Sequence, residues 1–167
     1  LADQVNANAE LYMQRLESID QEIACRVSRL PESRRVVVTS HDAFGYLAAD
    51  YGLTFLAPKG IDTDAEPTAR ALAVLIKQLQ NLDAAALFAE NITSPALINQ
   101  IAFETGLEVG GRLYSDALSV PGGHANSYVD MLRHNANNIL EILERGSTPG
   151  CSEGREIYDQ TQLTAME

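Results

Sequence analysis

Apolar residues recur through the first 30 positions at spacings of three, four or seven: Val5, Ala9, Tyr12, Leu16, Ile19, Ile23 and Leu30. Asp, Glu, Gln and Arg fill most of the positions between them. Side chains at that spacing share one face of a helix, so the pattern predicts a single helix over residues 3–29. Pro31 ends it, because proline lacks the N–H that would continue the ladder. At about 1.5 Å per residue such a helix runs roughly 40 Å, long enough to extend beyond a single lobe.

The period then shortens. Val36-Val37-Val38-Thr39 is a β-branched run and predicts a buried strand. Asp42 to Tyr51 reads as a helix closed by Gly52, and Leu53 to Leu56 as a second strand ending before Pro58. Lys59 to Glu66 is a polar loop. Pro67 opens a helix whose apolar face is Leu72, Leu75, Ile76 and Leu79. Ala85 to Ala89 predicts a third strand, a Ser94-capped helix ends at Gly106, and Leu107 to Val109 predicts a fourth strand. Arg112 to Asn126 reads as a loop. Ser127 and Asp130 have the spacing of a capping box that opens a last helix, running to about Leu143. Residues 146–167 lack periodicity and read as a tail. Strands alternating with helices imply βαβ units, hence an α/β fold with a four-stranded parallel sheet flanked by helices. The organisation expected is a long helix over 1–30, an α/β lobe over 31–146 and a tail over 147–167.

Composition narrows the chemistry. The 167 residues are 46% apolar and 21% charged, which suits a packed domain and not a disordered one. Lys and Arg total 12 against 23 Asp and Glu, a formal charge of −11, which argues against nucleic acid and against anionic membrane surfaces. No apolar run exceeds six residues, Ala84 to Ala89 being one, too few for a bilayer span. The chain begins at Leu1 without a visible signal peptide, as a processed or truncated product would.

In a parallel sheet the functional loops lie at the carboxyl ends of the strands. Those positions hold Ser40-His41-Asp42, Glu90-Asn91 and Tyr114-Ser115-Asp116. His41 alone reads either as a capping or hydrogen-bonded histidine, or as a metal ligand or general base. Asp116 alone reads as a turn residue, and Glu90 as a solvated carboxylate, an ion-pair partner or a support for ligands in front of it. Converging on one rim, an imidazole and carboxylates suit a divalent metal such as zinc. His124, beside Gly122-Gly123, reads as a loop residue and His134 as a structural one. Asn91-Ile92-Thr93 matches a glycosylation sequon, a pattern common by chance. No GxSxG, GxxxxGK[ST], GxGxxG or HExxH motif occurs. His41-Asp42 evokes an HD-type phosphohydrolase, but those are all-helical, against the strand at Val36.

The stretch Val38-Thr39-Ser40-His41-Asp42-Ala43-Phe44-Gly45-Tyr46-Leu47 resembles the zinc/manganese solute-binding proteins of bacterial ABC transporters (ZnuA/TroA-like, cluster A-I). So do Tyr51-Gly52-Leu53, Asp64-Ala65-Glu66-Pro67-Thr68-Ala69, Phe88-Ala89-Glu90, Leu113-Tyr114-Ser115-Asp116-Ala117-Leu118 and Tyr128-Val129-Asp130-Met131-Leu132-Arg133-His134-Asn135. The matches fall in order over residues 1–144. The resemblance implies two α/β lobes joined by one rigid helix with the metal between them; this chain would hold the linking helix and the C-terminal lobe, with the N-terminal lobe absent. It implies metal ligands at His41 and Asp116 and two further histidines from the other lobe. Manganese members usually carry Glu where this chain has His41, so the resemblance implies Zn2+, with Mn2+ the lesser choice. The family often has Glu-Pro-Gln where this chain has Glu90-Asn91-Ile92.

The function expected on these grounds is a periplasmic zinc-binding component of an ABC importer, not an enzyme. Its partners would be a membrane permease and a periplasmic zinc chaperone, and it would act as a monomer. The alternatives are a manganese or iron importer component of the same fold, a metal-dependent hydrolase on a flavodoxin-like sheet with Glu90 as base, and an adhesin. A disulfide between Cys25 and Cys151 is also expected. The last helix should run back toward the edge where the first helix ends, and the periplasm is oxidising.

Overall fold

The computed structural model describes residues 1–58, 67–82 and 86–145. The loop over 59–66 and the tail over 147–167 lie outside them. Cys151, and with it the expected bridge to Cys25, lies outside the described residues too.

The long helix, α1, runs Ala2–Ser28. Its apolar stripe divides in two. Ile19, Ile23 and Val27, each one turn from the next, are buried, and Leu30 is buried just beyond the helix. Val5, Leu11, Tyr12 and Met13 on the first half are exposed. A polar clasp reinforces the buried half. The Arg26 guanidinium donates to Glu144 through Nε and Nη2, both at 2.8 Å, and to Asn137 Oδ1 at 2.9 Å. The hydrogen bonds to the Glu144 carboxylate hold that guanidinium's pKa above its ordinary value. Tyr51 donates to Asp20 Oδ1 at 2.7 Å, and its pKa is raised by burial first and by that carboxylate second.

Four strands follow: β1 (Val36–Val38), β2 (Thr54–Leu56), β3 (Ala86–Glu90) and β4 (Val109–Leu113). They form one sheet in the order β2-β1-β3-β4, and every pairing is parallel. The connecting helices are α2 (Gly45–Tyr51), α3 (Ala69–Leu79), α4 (Ala96–Thr105) and α5 (Tyr128–Leu143). Alternation along the strands builds two cores. Val37, Ala86 and Phe88 point to one face and pack with Ile19, Ile23 and Val27 of α1 and Ile139, Leu140 and Leu143 of α5. Val38 and Leu87 point to the other and pack with Leu75 and Leu79 of α3 and Ile98 and Ile101 of α4. Among the described residues no helix is long and apolar enough to cross a membrane.

The observed elements depart from the sequence expectation most at three places, besides α4, where Pro95 and not Ser94 stands at the cap, and β3, which is shifted by one residue. The fourth strand lies at 109–113, not 107–109. Gly110 is needed there: a Cβ would fall 2.7 Å from the Phe88 ring and 2.8 Å from Ile142. Gly111, at φ +134, lies in a bulge, because two residues between Val109 and Arg112, Gly110 and Gly111, stand opposite one between Leu87 and Ala89, Phe88. The second helix begins at Gly45, not Asp42, because residues 39–43 form a turn closed on the His41 carbonyl. The third helix is capped by Thr68, whose hydroxyl accepts the Ala71 N–H at 3.1 Å, so Pro67 precedes the helix instead of opening it.

Candidate metal centre

The chain leaves β1 for β2 on one side and returns to β3 on the other. The crevice beyond the carboxyl ends of β1 and β3 is therefore a topological switch point, where open α/β sheets place ligands. His41 sits three residues past β1 and Glu90 is the last residue of β3.

His41 is fixed from several directions. The Thr39 hydroxyl donates to its carbonyl at 2.9 Å, and the Ala43 N–H donates to the same oxygen at 3.2 Å. Its own N–H donates to Glu90 Oε1 at 3.0 Å. Its ring Nδ1 lies 2.7 Å from Glu90 Oε2. Both side chains are buried, His41 at 2% and Glu90 at 1% exposure, so each is the other's compensation for lost water. A carboxylate this close to Nδ1 favours the tautomer with the proton on Nδ1, which turns the Nε2 lone pair outward.

Nε2 faces Asp116 Oδ2 at 3.3 Å, and the Asp116 side chain is 59% exposed. Two donors bound to one tetrahedral ion at about 2.0–2.1 Å stand about 3.3–3.4 Å apart. The imidazole and carboxylate thus already have the separation of one edge of such a shell. No third His, Cys, Asp or Glu completes a metal-holding group among the described residues.

The loop carrying Asp116 is held by two asparagines. Asn135 of α5, 5% exposed, accepts the Tyr114 N–H at 2.9 Å and donates to the Tyr114 carbonyl at 2.7 Å. Asn91 accepts the Ser115 N–H at 3.3 Å and donates to the Ala117 carbonyl at 3.0 Å. The sequence reading singled out neither for this role. The signal available was only that Asn91 directly follows a strand at the rim.

Of the residues expected at a site, the structure brings together His41, Glu90 and Asp116. His124 and His134 pair with each other instead, their rings parallel within 7° at 6.2 Å between centroids. His134 Nε2 lies 3.1 Å from the Arg112 carbonyl, and Tyr114 meets its ring edge-on at 5.3 Å. That is a supporting role for His134, as its place on the last helix suggests.

The chain is similar to known proteins over most of its length. The manganese-binding lipoprotein MntA of Bacillus subtilis (strain 168) is 34% identical over 148 residues, covering 86% of this chain and 48% of MntA. The zinc-binding protein TroA of Treponema pallidum is 30% identical, covering 81% of this chain and 46% of TroA. A solved periplasmic metal-binding protein from Candidatus Liberibacter asiaticus superposes with a TM-score of 0.76 at 29% identity, over 85% of this chain and 53% of that one. The chain thus spans about half the length of the curated relatives it matches. The profile of the periplasmic zinc-uptake complex component A matches residues 1–142. With its parallel sheet, its long leading helix and a match over most of its length, the chain belongs to that zinc-uptake component A family.

Proposed function

We propose that this chain is the C-terminal lobe, with its linking helix, of a periplasmic solute-binding protein that captures Zn2+ between two lobes. It delivers the ion to the membrane permease of an ABC importer. The observation that carries the reading is the 3.3 Å separation of His41 Nε2 and Asp116 Oδ2, with Nδ1 turned onto the buried Glu90. An imidazole so backed is a stronger donor, and nitrogen with carboxylate oxygen suits zinc. The protein's work is capture and release, without bond-making, so the reading is of a transport component and not an enzyme. Its partners are the permease and a periplasmic zinc chaperone, and it acts as a monomer. Cys25 and Cys151, the chain's two cysteines, form a disulfide in this reading, as the oxidising periplasm favours.

The second reading is a manganese or iron importer component of the same fold. It is supported by the manganese-binding name of the Bacillus subtilis relative and by the carboxylate in the donor pair.

The test is made on the full-length protein, purified without added metal. Elemental analysis should find zinc, and competition with a chromophoric chelator should show His41→Ala and Asp116→Ala weakening Zn2+ binding at least about tenfold. His124→Ala should leave it unchanged. Manganese as the resident metal moves the assignment to the second reading, and undiminished binding by both variants ends the metal-site reading.

A further inference from the structure

We propose that Asn91 is a positioning residue for Asp116, and that the dipeptide Glu90-Asn91 sets the geometry of both metal donors from one strand end. The inference rests on the metal-binding reading above and adds to it a residue that touches no metal.

Three placements carry it. β3 lies between β1 and β4, so the residues at its carboxyl end have one donor-bearing loop on each side. Glu90 reaches one way, accepting the His41 N–H at 3.0 Å and meeting Nδ1 at 2.7 Å. Asn91 reaches the other way. Its carboxamide oxygen accepts the Ser115 N–H at 3.3 Å and its amide nitrogen donates to the Ala117 carbonyl at 3.0 Å. Those two residues flank Asp116, so the backbone just before and just after the ligand's own two peptide groups is tied to one planar side chain. The Asn91 backbone N–H donates to the Leu113 carbonyl at 3.0 Å, which fixes where that carboxamide starts.

The need for such a tie follows from exposure. His41 is buried, but the Asp116 side chain is 59% exposed, meets His41 Nε2 at 3.3 Å and is otherwise positioned through its backbone. Beyond the Asn91 bonds, the next backbone hydrogen bond along the segment past Tyr114 is at Ser119, whose N–H donates to the Ala125 carbonyl at 2.8 Å. An exposed carboxylate on an untied segment loses the fixed 3.3 Å approach to Nε2 and must be ordered again by each arriving ion. A side chain with one acceptor and two donors is what bridging an N–H and a C=O two residues apart requires, and Asn provides it.

The experiment compares wild type with Asn91→Ala and Asn91→Asp in the full-length protein. Aspartate keeps the acceptor for Ser115 but has no hydrogen for the Ala117 carbonyl. In the metal-free state, amide hydrogen exchange at Ser115 should rise at least about tenfold in Asn91→Ala and stay near wild type in Asn91→Asp. Chelator competition should show Zn2+ affinity falling about 10- to 100-fold in Asn91→Ala, the range typical of groups that orient ligands. The Co2+-loaded variant should show an altered visible absorption band, which a purely structural loss would leave unchanged. Unchanged exchange at Ser115 overturns the bracket itself. Faster exchange with Zn2+ affinity within about twofold of wild type and an unaltered Co2+ band overturns its role in positioning. Should Asn91→Ala fail to fold, Asn91→Asp decides alone: wild-type Zn2+ affinity and Co2+ band overturn the proposal. Asp116→Ala is run beside them: if it binds Zn2+ as wild type does, the metal-site reading fails, and the exchange result still decides the bracket.

Discussion

At Glu90 one carboxylate does two things at once, and a single-atom change separates them. Glu90→Gln keeps an oxygen for the His41 N–H but places an amide against Nδ1, where the wild type has an acceptor 2.7 Å away. An amide donating to Nδ1 selects the opposite tautomer, with the proton on Nε2, where a metal would bind. The variant is expected to fold, by circular dichroism, and to bind Zn2+ about 10- to 100-fold more weakly, by chelator competition. Wild-type affinity would show that the tautomer is set elsewhere. His41 and Asp116 were legible in the sequence because both stand just past a strand, where parallel sheets put their chemistry. Asn91 and Asn135 were not. Each acts on a residue more than 20 positions away along the chain, and only the adjacency of β3, β4 and α5 brings them there. A lone polar residue whose partner is distant in sequence leaves no local pattern.

Among the elements, β4 shows where sequence reading fails for a physical reason. Glycines have low strand propensity, so Gly110-Gly111 reads as the end of a strand. In the fold they lie inside it, because Phe88 and Ile142 leave no room for a Cβ at 110 and the bulge needs the positive φ at 111. Gly110→Ala should therefore destabilise the protein by about 1–3 kcal/mol, the usual cost of overpacking, measured by denaturant unfolding. A neutral result would mean that the ring and the isoleucine shift aside freely. Other boundaries were legible. Gly52 and Gly106 close helices with φ of 66° and 73°, and the Ser127 hydroxyl caps α5 by accepting the Asp130 N–H at 3.2 Å. The Arg26 clasp was not, since α1 and α5 are joined by charges 118 residues apart. Arg26→Ala removes a forked ion pair whose arginine side chain is 14% exposed, and is expected to cost about 1–3 kcal/mol in chemical denaturation. A loss below about 0.5 kcal/mol would class the clasp with ordinary surface pairs.

At the scale of the whole molecule, two donors are not a closed site. Zn2+ titrated calorimetrically into residues 1–167 alone should bind far more weakly than the full-length protein does, because the ion's binding energy depends on a completed shell. Nanomolar binding would mean that this lobe holds further ligands. The proposed Cys25–Cys151 bridge is tested separately. Mass spectrometry of periplasmic protein without reductant should find neither thiol alkylatable. Such a bridge closes a loop of about 127 residues, for which the chain-entropy treatment gives roughly 4–5 kcal/mol. Reduction should lower the melting temperature accordingly, and two alkylatable thiols would end the proposal.

The division of α1 has a mechanical consequence. Its packing on the lobe begins near Leu16 and Ile19, so the exposed first 15 residues or so project as a lever rooted at Ile19, Ile23, Val27 and the Arg26–Glu144 clasp. A beam of that length reaches about 22 Å from its root at about 1.5 Å per residue. A rotation of about 5° at the root then carries the tip roughly 2 Å, about the length of one zinc–ligand bond. Whatever the tip bears is therefore aimed by the contacts of α1 with α5 and α2. Loosening that root, as Arg26→Ala would, changes where the tip points without altering a single residue at the metal centre.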